Sequence, residues 1–194
     1  MKRSRRWLAG AVVILAALAP LAGSPFAADR ARVDVAQLAR QVEREEDHVT
    51  ALELAQWIKD RRSDLRILDL RPAAQYDSLH IPGAERVALD SLMSLDLPRG
   101  GTVVLYSAAG AHAAQGWVFL RALGLTHVYF LRGGMYEWVD QVLSPTLAVD
   151  PTPAERVAYR RAAMLSRYFG GSPQAGVPRV EQAKSVAQLR RRGC

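Results

Sequence analysis

Four short apolar runs mark the middle of the chain, at residues 65–70, 84–88, 102–106 and 127–131. At 102–106 and 127–131 the hydrophobic residues are consecutive rather than alternating, as in Val103-Val104-Leu105-Tyr106. A strand with one wet face alternates, so consecutive runs predict strands covered on both faces, as in a parallel sheet. The run at 84–88 is the weakest of the four. Helical spacing appears between the runs. Thr50-Ala51-Leu52-Glu53 places an acid three residues after a hydroxyl, which predicts a capping box. Leu52, Leu54, Ala55 and Ile58 then supply the apolar face of that helix. Residues 113–123 read as a second helix, stopped by Gly124. Strands alternating with helices predict an α/β fold. Ligands on such sheets bind at the carboxyl ends of the strands.

The flanks follow other patterns. Residues 33–48 are polar with partial helical spacing through Val35, Leu38, Ala39 and Val42, which predicts a lead-in helix or linker. Pro151-Thr152-Pro153 breaks the chain after the composition shifts at Ser144-Pro145. Residues 154–169 then read as an amphipathic helix closed by Gly170-Gly171, with Val157, Ala158, Met164, Leu165 and Phe169 as its apolar positions. That helix is expected to pack on the domain or on a partner. Residues 172–194 are expected to be poorly ordered, apart from helical turns around 180–189.

At the N-terminus, Lys2, Arg3, Arg5 and Arg6 precede an apolar stretch over residues 7–22, followed by small residues up to Ala28. This order predicts a bacterial-type export signal or, uncleaved, a membrane anchor. The stretch is short for a spanning helix, which needs about 20 apolar residues. Phe26 makes a poor cleavage site after Ala28. Ser4-Arg5-Arg6-Trp7-Leu8 resembles a twin-arginine signal weakly. The expected location is the periplasm, or the inner membrane facing it. The domain plan is a signal or anchor at 1–28, a linker at 29–47, a folded domain at 48–145 and a helical, basic extension at 146–194.

The formal charge of the 194-residue chain is +7. It resides at the ends: residues 151–194 hold nine basic side chains against Glu155 and Glu181, whereas residues 29–150 are net acidic. The basic tail at Arg190-Arg191-Arg192 can attract phosphate-bearing surfaces. No base-reading motif is present, so no nucleic-acid partner is expected. The one cysteine, Cys194, is the last residue, which excludes an intramolecular disulfide. No metal-ligand spacing occurs, and no metal or cofactor is expected.

The candidate chemistry lies in Ser107-Ala108-Ala109-Gly110-Ala111-His112, directly after the run at 102–106. Four further motifs accompany it: Ile67-Leu68-Asp69-Leu70-Arg71; Gln75-Tyr76 with His80-Ile81-Pro82-Gly83-Ala84; Gly133-Gly134; and Trp138. Together, in this order and spacing over residues 49–142, they resemble the rhodanese family. The resemblance implies a five-stranded parallel sheet between helices. Most of these residues have structural explanations: Asp69 and Arg71 hold loops by ion pairing, His80-Ile81-Pro82-Gly83 is a turn, Gly133-Gly134 is a tight strand-to-helix turn, and Trp138 is core.

Rhodaneses carry cysteine at the position matching Ser107 and often arginine at that of His112. The inward-pointing N–H groups of such a loop, with the helix N-terminus behind them, favour an anion. A thiol ionises near pH ~8.5, so that field readily yields a thiolate. A serine hydroxyl starts far higher and carries no stable sulfane sulfur. The resemblance therefore implies a member without a catalytic nucleophile. A protonated His112 replaces the missing arginine only at lower pH. A Ser107–His112 hydrolytic pair is disfavoured, because both sit on one tight loop and Gly-x-Ser-x-Gly is absent. What survives is a cradle, residues 107–112, for an oxyanion, a sulfide species or an acidic group of a protein partner; an empty loop kept for its turn is the competing reading. The expected function is non-catalytic binding or scaffolding in the cell envelope. The alternative is sulfur transfer through Cys194 or a partner's thiol.

Overall fold

The computed structural model describes residues 34–97 and 100–182. Helix α1 (Val35–Glu43) leads into a two-residue strand β1 (His48–Val49). There follow α2 (Ala51–Lys59), β2 (Leu65–Asp69), α3 (Ala73–Ser78) and β3 (Ala84–Arg86). Next come β4 (Thr102–Tyr106), α4 (Ala111–Ala122), β5 (Val128–Leu131) and α5 (Gly134–Trp138), the last continued by a π-helical turn, Val139–Leu143. The expected capping box starts α2: Glu53 N–H donates to Thr50 Oγ1 at 3.2 Å, and Thr50 N–H to Glu53 Oε2 at 2.9 Å.

Strands β1 to β5 form one parallel sheet in the order β1-β5-β4-β2-β3. The five-stranded expectation holds. Strand β4 is central and buried at all five positions. Val104 and Tyr106 join one core with Ile67, Leu54 and Trp138. Val103 and Leu105 join a second core with Leu68, Trp117 and Leu120 on the other face. Two packed faces explain the consecutive apolar run. Burying each such large side chain stabilises by about 1.5–3 kcal/mol.

The segment beyond Leu143 departs from expectation. Strand β6 (Thr146–Ala148) pairs in parallel with β7 (Gln174–Val177) across the intervening α6 (Pro153–Tyr168). Residues 174–177 are thus ordered, contrary to the expectation for 172–194. Ser172 N–H donates to Leu143 O at 2.7 Å, and Gln174 N–H to Pro145 O at 2.9 Å, which sets the pairing. Gly171 permits this approach, since a Cβ there would collide with Leu143 O. Helix α6 packs on the domain, but through a face richer in small residues than expected. Ala162, Ala163, Leu165 and Ser166 are buried, whereas Val157 and Met164 face solvent. Ser166 Oγ donates to Leu143 O at 3.2 Å, and Phe169 stacks edge-on against Trp138 at 5.2 Å. Among the described residues no helix is long and apolar enough to cross a membrane. The apolar stretch at 7–22, most of the 180–189 segment and Cys194 lie outside the described residues.

Candidate functional site

Strand β4 ends at Tyr106, and the chain turns at the carboxyl edge of the sheet's central strand. Helix α4 begins at Ala111, two residues before the expected start, because Gly110 takes φ +98° and completes the turn early. Ala111 and His112 are therefore the first turn of a helix rather than loop residues, and both are exposed. Ser107 and Gly110 are buried, with Ser107 at 3 % exposure, and Ala108 and Ala109 are half-buried.

The loop is held from behind by α5. Met135 N–H donates to Ser107 O at 2.9 Å and Tyr136 N–H to Ala108 O at 3.1 Å. Gly133 and Gly134 both take positive φ, and a Cβ on Gly134 would strike Ser107 O. The tight Gly-Gly turn expected from the sequence thus aims the loop carbonyls at α5. The N–H groups of Ala108, Ala109, Ala111 and His112 have no acceptor among the described residues. Gly110 N–H is the exception, donating to Ser107 Oγ at 3.1 Å. The serine oxygen thus occupies one donor of its own cradle. The structure does not bring Ser107 and His112 together as a hydrolytic pair: no hydrogen bond joins them among the described residues.

Beside the loop, Asp69 and Arg71 form a buried ion pair. Arg71 Nη2 donates to Asp69 Oδ2 at 2.6 Å and to Leu79 O at 2.6 Å, while Arg71 N–H donates to Asp69 Oδ1 at 2.9 Å. The guanidinium also lies 5.4 Å from the centre of the Tyr106 ring. Burial pushes the Tyr106 phenol up, and the neighbouring Asp69 carboxylate adds to that effect. Ile81 N–H donates to the Tyr106 hydroxyl at 3.2 Å. His80 stacks on Tyr76 with ring centres 4.1 Å apart, and Tyr76 donates to Ala84 O at 2.7 Å. These contacts give Asp69, Arg71 and His80 the structural roles expected of them.

An open cleft of about 350 Å³ lies alongside, lined among others by Arg71, Pro72, Arg86, Leu89 and His112. Ser107 does not line it. Arg86, at the end of β3, is exposed and has no hydrogen-bond or ion-pair partner among the described residues. Sequence reasoning missed Arg86. The signal was a lone cation closing a parallel strand, at the end where such sheets bind ligands. The cleft thus combines a guanidinium without a described partner, an exposed imidazole and the neighbouring positive N-terminus of a 12-residue helix. Its chemistry suits a small anion. Among the described residues no group of three His, Cys, Asp or Glu side chains could hold a metal ion.

Residues 50–141 match the family model of the Rhodanese-like domain. A search of curated proteins found no match. Among solved structures, the chain is similar to the Rhodanese-like domain of an Anabaena sp. protein at 27 % identity. That likeness covers 47 % of this chain and 72 % of the other, with a TM-score of 0.44. A rhodanese-related protein from Thermoplasma volcanium aligns at 23 % identity over 47 % and 89 % of the two chains, TM-score 0.42. The human single-domain sulfurtransferase TSTD1 aligns at 22 % identity over 48 % and 95 %, TM-score 0.43.

Proposed function

Residues 50–141 being a rhodanese-like domain, we propose that the chain is a binding module of the bacterial cell envelope, without sulfurtransferase activity, whose Ser107 loop receives a small oxyanion or the acidic group of a protein partner. One observation carries this reading. The side chain at the nucleophile position is a buried hydroxyl whose oxygen accepts from Gly110 N–H, inside its own loop. Sulfur transfer needs a thiolate that takes the sulfane sulfur of thiosulfate as a persulfide, releasing sulfite, and then passes that sulfur to cyanide, forming thiocyanate and regenerating the thiolate. An oxygen nucleophile forms no comparable persulfide, and the loop field is too weak to ionise a hydroxyl. The donors of the loop, the α4 N-terminus, Arg86 and His112 remain available to an anion. The envelope assignment rests on the basic-then-apolar order of residues 2–22.

Incubation of the purified protein with thiosulfate and cyanide is expected to give no thiocyanate. Ser107→Cys is expected to gain one sulfur atom by mass after exposure to thiosulfate, because the cradle that stabilises a persulfide is intact. Turnover by the unaltered chain overturns the proposal, and its loss in Cys194→Ser would assign the chemistry to the tail thiol. For binding, sulfate titration is expected to shift the amide resonances of Ala108, Ala109, Ala111 and His112, and Arg86→Gln to weaken that response. Unmoved resonances would leave the loop as a turn only.

A further inference from the structure

Helix α6 has one face in the fold and one that the fold leaves uncovered. Its inner face buries Ala162, Ala163, Leu165 and Ser166. On the opposite side Val157, Met164 and Tyr168 are 59 %, 61 % and 52 % exposed. Spacings of seven and four residues put these three on one narrow stripe. The stripe is about 16 Å long at ~1.5 Å per residue. Arg160, Arg161 and Arg167 flank it, all exposed and without hydrogen-bond or ion-pair partners among the described residues. Arg156 donates to Pro151 O. The one acid on the helix, Glu155, is occupied by Arg179 and by the N-terminal capping box. Among the described residues the outward face therefore presents an apolar line edged by unpartnered guanidinium groups, with no uncommitted carboxylate on the helix.

That combination matches a helix lying in a lipid interface: apolar side chains enter the acyl boundary while arginine heads bond headgroup phosphates. Tyrosine suits the same depth, with an apolar ring and a polar tip. We propose that the outward face of α6 seats the protein on an anionic phospholipid surface. Two features of the sequence favour a bilayer over an acidic protein. Positive charge continues past the helix, five basic residues against Glu181 alone over 169–194. The apolar stretch at 7–22, with its basic leader, is of the kind that delivers a chain to a membrane.

The test uses the full chain with vesicles of phosphatidylcholine alone or mixed with phosphatidylglycerol. The variant Arg160→Gln/Arg161→Gln/Arg167→Gln alters only exposed side chains, and its fold is checked by circular dichroism. It is expected to partition to the mixed vesicles about 100-fold more weakly, about fivefold per arginine, with binding to neutral vesicles unchanged. A polarity-sensitive dye attached through Met164→Cys in a Cys194→Ser chain is expected to shift to the blue on mixed vesicles. Equal partition of the triple variant and the unaltered chain overturns the proposal. So does a dye still reporting water on vesicle-bound protein, which would assign binding to the N-terminal stretch. A dye that responds to polyglutamate and not to the vesicles would assign the face to an acidic protein.

Discussion

Arg71 and Arg86 line the same cleft, and both end up beside the carboxyl edge of the sheet. Arg71 is 7 % exposed and committed to Asp69 and Leu79 O. Arg86 is exposed and has no described partner. The first gives its charge to the fold, and the second has no counter-charge among the described residues. The same division runs through the Ser107 loop: Ser107 O and Ala108 O are used by α5, while four of its N–H groups have no acceptor among the described residues. A charged side chain at a ligand-binding edge is therefore not by itself a ligand contact. What separates the two arginines is whether a buried counter-charge already claims the guanidinium.

The largest test of that contrast is Arg71→Ala. It strands Asp69, which is fully buried, and is expected to cost about 3–5 kcal/mol in urea unfolding. A loss under about 1 kcal/mol would mean that water already reaches the pair. Ser107→Ala leaves the buried Gly110 N–H without its acceptor and is expected to cost about 1 kcal/mol. Arg86→Ala is expected to change stability by less than about 0.5 kcal/mol while weakening the sulfate response. A clear stability loss there would move Arg86 into the class of Arg71.

The smallest effect concerns a pair committed without being buried. Arg179 first, then Thr152, holds the Glu155 carboxyl down to about 2. A carboxyl depressed in the folded state adds stability above its ordinary pKa of 4.5, and that contribution is lost as pH falls toward about 2. The pair is exposed and solvent-screened, so Glu155→Gln is expected only to flatten the acid limb of the stability curve slightly. A flattening that removed most of the acid limb would erase the distinction between buried and exposed commitment.

Much of the sheet and loop was legible because it depends on local signals. Apolar runs marked β2, β4 and β5 and more weakly β3, the Thr50–Glu53 pair marked the start of α2, and Gly133-Gly134 marked the turn behind the loop. Strand β1 left no trace in periodicity: two residues, His48 and Val49, are too few to show a pattern. The five-strand count came from the family resemblance instead. The outward Val157 and Met164 were misread because hydrophobicity ranks them above Ala162, Ala163 and Ser166. Close packing against the π-helical turn and Leu143 favours the smaller side chains.

By itself the sequence determined the parallel α/β sheet and the placing of Ser107 directly after the run at 102–106, since each follows from residue types within a few positions of one another. Only the tertiary structure decided that Ser107 closes onto Gly110, that Arg71 is spent while Arg86 has no partner among the described residues, and that β7 returns to β6. Each of these depends on atoms brought together, and on groups shielded from water, by packing that no local pattern encodes.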